Sequence, residues 1–391
     1  MKNDISEKAQ VFLFILLAFW LPLSLALSEI FYSLAFVTWI IAILARKNNP
    51  LHYTGLEVPT AVFAIAYIAA ILASPSPMQS AWVLRRFIKF GLIFLLANNF
   101  SSKADKLPMI RLWLLGAVIA SVWTIIEYVR GVPRPGGFFG PITFGYFAPM
   151  FLGVSLSLAG LKQHKRISIL SWLSLAVGIP ALVLTCTRGG WIGFIASLVF
   201  FLIVKRKWFS LTAALGTGVL VVAILSTYFP NSELGIGVRS VLRPFDEQVP
   251  RVRGSNLRRW YKWKASWQMF KERPLFGIGP HRFKEELPNY LSEEVHEKLF
   301  NHQSYAHAHS IYFDYLATMG ITGLLGALFF IFMVFRLLIS KYKSQPPAFQ
   351  KSLALGVLMA FISFCVGGLF HQCFHRSQIL LNLCFLLGLV L

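Results

Sequence analysis

His309-Ser310 and the run behind them, Ile311-Tyr-Phe-Asp-Tyr-Leu-Ala-Thr-Met-Gly320-Ile-Thr-Gly323-Leu-Leu-Gly-Ala-Leu-Phe-Phe-Ile-Phe-Met-Val-Phe-Arg-Leu-Leu338, set the reading of the whole chain. The run carries only two charged residues, Asp314 and Arg336. It exceeds the roughly 20 residues that a helix needs to cross about 30 Å of hydrocarbon. Similar runs recur along almost all of the 391 residues, and the chain is 56% hydrophobic, above the ~45–50% of soluble domains. This composition predicts an all-α polytopic membrane protein. No small-residue cleavage site follows the first run, from about Val11, so it reads as a retained span rather than a signal peptide.

The hydropathy pattern gives about twelve spans, near 10–28, 29–45, 57–75, 81–98, 109–129, 145–161, 168–187, 190–204, 210–229, 311–338, 351–370 and 376–391. Three units follow: spans one to nine in residues 1–229, a large polar and helical loop over 230–310, and spans ten to twelve in 311–391. Arg46-Lys47, Lys103 with Lys106, the stretch Lys162 to Arg166, Lys205-Arg206-Lys207, and Lys341 with Lys343 all fall in connections on one side. The excess of Lys and Arg in cytoplasmic loops makes that side cytoplasmic. Both termini are then cytoplasmic, and the long loop faces outward with the connections between spans five and six and between seven and eight. Within the loop Trp260, Trp263, Trp267 and Phe270 recur at helical spacing. That helix either lies on the bilayer or belongs to a small soluble cap with a tryptophan-rich core.

The formal net charge is +21. Basic residues scattered among spans do not form a nucleic-acid surface, so no nucleic acid is expected as a partner. Anionic membrane lipids or an anionic substrate fit better. The four cysteines, Cys186, Cys365, Cys373 and Cys384, have neither zinc spacing nor a disulfide framework. Arg85, Arg86 and Lys89 break the charge rule, sitting together in the outer half of span four. An ionised group there is costly unless it snorkels or is paired, and the only acids near outer span ends are Glu29, Glu127 and Asp314. Snorkelling to headgroups and a site for an anionic ligand both account for the three cations. Arg188 lies in the turn Thr187-Arg188-Gly189-Gly190-Trp191. Its glycines permit a tight bend and close ligand approach, and its guanidinium can fork onto phosphate oxygens. The loop adds Arg239, Arg243, Arg251, Arg253, Arg258, Arg259, Lys262 and Lys264, most of them expected to face solvent or headgroups and one or two to touch substrate.

His309 falls at the N-terminal end of span ten. The positive end of the helix dipole and nearby arginines favour the neutral imidazole, the form that a general base needs. A base beside arginines at a bilayer surface points to chemistry on a phosphorylated lipid; a structural histidine fits the spacing equally well. Gly320 and Gly323 are expected to let a neighbouring helix approach closely. His302 and His307 flank His309 without accompanying carboxylates or an Asp-x-Asp, so no metal or other cofactor is expected. His371-Gln-Cys373-Phe-His375 has spacing for a soft metal but reads as a chance cluster at the interface. Gly277-Ile-Gly279 lacks the third glycine and the preceding strand of a nucleotide loop.

Three of these motifs together resemble the bacterial O-antigen ligases and their relatives, the O-antigen polymerases and protein O-oligosaccharyltransferases. Thr187-Arg188-Gly189-Gly190-Trp191 is similar to the family's Ser/Thr-Arg-Gly-Gly turn. Arg259-Trp-Tyr-Lys-Trp263 with Pro274-Leu-Phe-Gly277-Ile-Gly279 is similar to its Arg-x-x-x-Trp helix and Pro-x-x-Gly-x-Gly tail. His309-Ser310 with Gly320 and Gly323 matches its His-Ser signature and paired glycines. The likeness covers most of the chain, including the twelve-span layout and the outer loop before span ten. One conservative departure is Ile192, where the family often has leucine. The resemblance implies inverting, metal-independent glycosyl transfer from a glycan on undecaprenyl pyrophosphate to a sugar hydroxyl of lipid A-core, at the periplasmic face of a bacterial inner membrane. It implies that His309 is the base and that Arg188 and Arg259 hold the pyrophosphate. Arg258, Gly189 and Ser310, next to these motif residues, are expected to contact substrate. Arg85, Arg86 and Lys89 are added as candidate ligands of the pyrophosphate or of phosphates on the acceptor. The turn Arg134-Pro-Gly-Gly-Phe-Phe-Gly-Pro is a candidate part of the donor entrance.

Two related activities remain open beside ligation: polymerisation of the glycan and transfer to protein. The end of the chain at Leu391, in a hydrophobic run, favours a ligase over a protein transferase, which tends to carry a further soluble part. A lipid-linked-oligosaccharide flippase or other transporter is the rival from another class. Coupled transporters place charge near the bilayer midplane, whereas here it gathers at one face.

Overall fold

The computed structural model describes residues 2–45, 52–100, 103–210, 232–242, 250–301, 305–346 and 348–391, with a few positions between 212 and 228. The expected ninth span lies largely outside the described residues, as do Arg46-Lys47, Arg243, His302, and the side chains of Lys103, Arg251 and Arg253.

Helices α1 (Lys2–Trp20) and α2 (Leu25–Ala45) part at Pro22 rather than at the expected 28–29. Proline contributes no N–H to a continuing ladder, and the amides of Leu23 and Ser24 close a turn on the Trp20 carbonyl instead. α3 (Glu57–Leu72) follows. The expected fourth span is two elements, a 3₁₀ helix over Trp82–Phe90 and α4 (Gly91–Asn99). Then come α5 (Lys103–Val129), α6 (Pro141–Leu158), α7 (Lys165–Leu184) and α8 (Arg188–Val204). The loop region holds α9 (Glu233–Leu242), α10 (Pro250–Glu272) and α11 (Glu293–Phe300), and α12 (Ile311–Ser344), α13 (Phe349–Gly367) and α14 (Ser377–Val390) complete the chain. No strand occurs among the described residues. Among the described residues, five helices are long and apolar enough to cross a membrane: Lys106–Val129, Pro141–Leu158, Lys165–Leu184, Ile311–Ser344 and Phe349–Gly367. Five shorter apolar helices accompany them. The chain is a helical membrane protein.

α6, α13 and α14 are apolar on every side and buried on nearly every side, as expected of helices at the centre of a bundle. α6 packs on α7, α8 and α13. One polar group is buried at full satisfaction: Asn382 Oδ1 accepts from the Trp113 indole at 2.7 Å, while its amide donates to the carbonyls of Leu21 and Gln378. The lipid-facing surface is read from exposed Ile41, Ile65, Leu72 and Phe332.

The loop region folds as a small cap with its own core of Ala265, Met269, Ile278, Phe283, Leu287, Phe300, Ala308 and Ala317. No tryptophan enters that core among the described residues. Trp263 turns inward and stacks on Phe313 of α12, with centroids 5.3 Å apart and planes at 11°. Trp260 and Trp267 stay about half exposed. The cap is joined to α12 at a break. Gly320 has φ 64° and ψ −157° within the helix, and the turn segment 274–279 inserts there. Ile278 and Gly279 donate to the carbonyls of Ala317 and Thr318 at 3.0 Å, and Ile321 donates to Pro274 at 2.8 Å. These bonds satisfy the backbone groups that the break exposes.

Five connections meet at one end of the bundle. Gln79 bonds Glu285 of the cap, Arg134 reaches the Thr185 carbonyl at 3.4 Å, Thr187 Oγ1 donates to the Pro141 carbonyl at 2.9 Å, and Ile311 donates to Gly368 at 2.8 Å.

Candidate active site

Arg188 owes its place to close backbone contact between α6 and α8. A Cβ at Gly190 would strike the Gly145 carbonyl, one at Gly145 would strike Thr187, and one at Gly189 would strike the Tyr146 hydroxyl. These glycines let the turn sit directly on α6. From the start of α8, the Arg188 guanidinium extends to α10, with Nη1 3.3 Å from Asn256 Oδ1 and Nη2 3.4 Å from Ser255 Oγ. Both bonds are long and to neutral groups, which leaves the charge itself uncompensated.

α10 brings three more cations. The stack of Trp263 on Phe313 sets its rotation against α12. Arg258 donates to the Leu299 carbonyl at 3.2 Å, tying α10 to α11. Burial, with the charge of Arg134 nearby, disfavours the ionised form of Arg259. Lys262 is 2% exposed, and its Nζ lies 3.6 Å from the Tyr305 ring centroid. Burial first, then Arg259 and Arg258, push its ammonium down to about 6. No ion pair among the described residues relieves Arg188, Arg259 or Lys262. Such a cluster is built to receive an anion.

His309 sits in a left-handed backbone conformation, φ 57°, which histidine adopts more readily than most residues. The bend is held from inside α12. Asp314, 1% exposed, accepts from the Ala308 amide at 3.0 Å and from Gln372 Nε2 at 2.7 Å, with His375 Nε2 3.6 Å away. The His309 amide lies 3.2 Å from His307 Nδ1. Burial, then Lys262 and the neighbouring histidines, hold His309 well below the usual imidazole range. His307 is pushed down to about 3 by burial, Lys262, Arg376 and Arg86, and His371 is depressed for similar reasons. The imidazole of His309 is therefore neutral at physiological pH and free to accept a proton.

These groups line one cavity of about 270 Å³, with Arg134, Arg188, Arg258, Arg259 and Lys262 around His309, His371, Tyr146 and Tyr305, and no carboxylate among the described residues of its wall. His307, His309 and His371 offer nitrogens within 4.8 Å of one another, a spacing from which a soft cation could be held. Their surroundings oppose it: Arg376 Nε donates to His371 Nε2 at 3.3 Å, and Lys262 and Arg259 act on His309. The residues suit an anionic ligand better than a divalent cation.

The structure gathers His309, Arg188, Arg259, Arg258 and Gly189 in this cavity and separates the other expected residues from it. Ser310 is 1% exposed, at the N-cap of α12 and off the wall. Lys89 is paired with Glu29 at 2.8 Å. Arg85 and Arg86 line a second cavity with Gln79, Trp82 and His281. Gly320 is not a helix-packing position, because it breaks α12 to admit segment 274–279, and a Cβ at Gly323 would strike Met319 of its own helix. His371 joins the cavity apart from the other members of its cluster: it stacks on Tyr146 at 5.1 Å and stands 5.5 Å from the His309 ring, while His375 lies by Asp314. Sequence reasoning missed Asp314, Tyr146 and Tyr305 as site residues and did not single out Lys262 among the loop cations. The burial of Lys262 had one legible signal, its place three and seven residues before the buried Ala265 and Met269 on the same helix.

Fold and site together define a helical membrane protein with a cation-lined cavity around a neutral histidine at one end of its bundle. Residues 173–328 match the family model described as O-antigen ligase. The match runs from α7 through the cap into α12 and holds Arg188, Arg259, His309 and Gly320. That match supports membership of the O-antigen ligase/polymerase superfamily, whose members are glycosyltransferase-like ligases and polymerases. Comparison with the curated proteins finds no match.

Proposed function

We propose that the chain is an O-antigen ligase, an inverting and metal-independent glycosyltransferase. It moves a glycan from undecaprenyl pyrophosphate to a sugar hydroxyl of lipid A-core at the periplasmic face of the inner membrane. The observation that carries this reading is the cavity in which His309 stands with Arg188 and Arg259 and, among the described residues, with no carboxylate. A ring nitrogen of His309 takes the acceptor hydroxyl proton as that oxygen attacks the anomeric carbon. The bond from the anomeric carbon to the pyrophosphate oxygen breaks, its electron pair leaves with the lipid pyrophosphate, and attack from the opposite face inverts the centre. Arg188 and Arg259 carry the charge that grows on the departing oxygens, the task a metal ion performs in other sites. Arg134 supports a role for its turn at the donor entrance, since it lines the same cavity.

The test uses the purified full chain with undecaprenyl-pyrophosphate glycan, lipid A-core and EDTA, beside His309→Ala. Ligation that survives EDTA and is lost in the variant is the expected outcome. Longer lipid-linked glycans in place of the lipid A-core product would make the chain a polymerase, and no transfer to any acceptor would return it to the transporters.

A further inference from the structure

Arg85 and Arg86 are not used by the cavity around His309. They line a second cavity of about 360 Å³ with Gln79, Trp82 and His281, and the two cavities share no lining residue. The 3₁₀ helix that carries the arginines exposes Trp82 and Ile88 at 65% and 62%, an apolar edge suited to the lipid interface. Arg85 folds over the Trp82 ring at 5.6 Å. Arg86 reaches inward, where its Nη1 is buried without a hydrogen-bond partner among the described residues, and a buried donor of that kind gains free energy from an acceptor. His281 closes the cavity in a left-handed conformation, φ 70°, held there by the cap. The acid nearest to it is Glu285, which is already engaged by Gln79 and by Arg282 at 3.6 Å. Burial and both arginines keep His281 below its usual range, so it meets a ligand as a neutral hydrogen-bonding group. His307 feels Lys262 from the first cavity and Arg86 from the second, so the histidine cluster lies between them.

We propose that this second cavity binds a phosphate group of the acceptor lipid, so that donor and acceptor are each held by their own arginines on either side of the histidine cluster. That the lipid is the acceptor rests on the ligase reading; that the ligand is a lipid-borne phosphate rests on the two guanidiniums, the unpartnered Arg86 nitrogen and the apolar edge.

The experiment compares the full-length chain with Arg86→Gln and Arg85→Gln, on phosphorylated acceptor and on acceptor stripped by a phosphatase. Arg85 is exposed, so its substitution tests the site even if the Arg86 variant folds poorly. The expected result is a rise of about tenfold or more in acceptor KM, with donor KM unchanged and with variants and wild type alike on stripped acceptor. A raised donor KM, an equal loss on both acceptors, or no change would overturn the proposal. If the wild type transfers nothing, the ligase reading fails separately, and the site is read by native mass spectrometry of lipid binding. Preference for the phosphorylated lipid that disappears in the variants then upholds the phosphate site, and equal displacement by phosphatidylglycerol vesicles overturns its selectivity.

Discussion

His309 depends on Asp314, which lies one helical turn into α12 and fixes the bend of the preceding loop through the Ala308 amide. Removing a buried acceptor leaves its donors unpaired, at a cost of about 1–3 kcal/mol. Asp314→Ala is therefore expected to lower kcat by up to about a hundredfold with donor KM nearly unchanged, and Asp314→Asn, which keeps the acceptor oxygen, to restore much of it. Steady-state kinetics with both substrates checks the split. His309→Ala is expected to lose about 10²–10⁴ in kcat, the usual contribution of a general base, while still binding donor. Lys262 gives a pH signature. Its ammonium is depressed to about 6, so it is mostly neutral at about pH 7.5 and gains charge as pH falls through 6. Donor KM should then fall as pH is lowered from about 7.5 to 5.5, and Lys262→Met should flatten that trend. At this scale the sequence was half legible. His309, Arg188 and Arg259 stood out because each sits in a short motif, whereas Asp314 and Lys262 act through Gln372, Ala308 and Tyr305, partners that only folding brings near.

The elements that aim the site are α10 and the break in α12. Gly320 adopts a conformation essentially confined to glycine, and a Cβ there would strike the Leu275 carbonyl. Gly320→Ala is expected to cost at least about 1–3 kcal/mol, lowering the thermal unfolding midpoint in detergent. The inserted segment leads back along the cap to α10, so donor affinity should fall with it. Trp263 tests the other anchor. Its stack on Phe313 contributes about 0.5–1.5 kcal/mol beyond burial, and Trp263→Ala should raise donor KM through a displaced Arg259 more than it lowers kcat through His309. The sequence located both segments but not their union. Paired glycines in an apolar run fit helix packing, and what distinguishes them from a helix break is hydrogen bonding to residues 274–279, some forty positions earlier. The 3₁₀ geometry of 82–90 was likewise hidden, because its apolar content is that of any span.

Across the whole molecule the apolar helices were legible because hydrocarbon leaves the backbone few alternatives, and the crowding of charge at one end followed from the connections that carry it. What that crowding does to stability was not legible, since it depends on which histidines are buried together. His307, His309, His371 and His375 come from two separate loops and are all held below the ordinary imidazole value. In the unfolded chain each binds a proton as pH falls through about 6.5, whereas in the folded protein each resists. Between those points the unfolded state holds more protons, so stability rises with pH. The contribution is complete above about 6.5, and His307 loses its share progressively as pH falls toward its folded value of about 3. The thermal midpoint of the purified chain should therefore drop between about pH 7.5 and pH 5. His307→Gln should shallow that slope, because glutamine has no proton to gain. Saturating donor should shallow it too, because a bound pyrophosphate opposes the cations that help hold His309 neutral. An equal slope with and without donor would mean that the anion does not share the histidines' cavity, which would count against the arrangement of His309, Arg188 and Arg259 around one substrate.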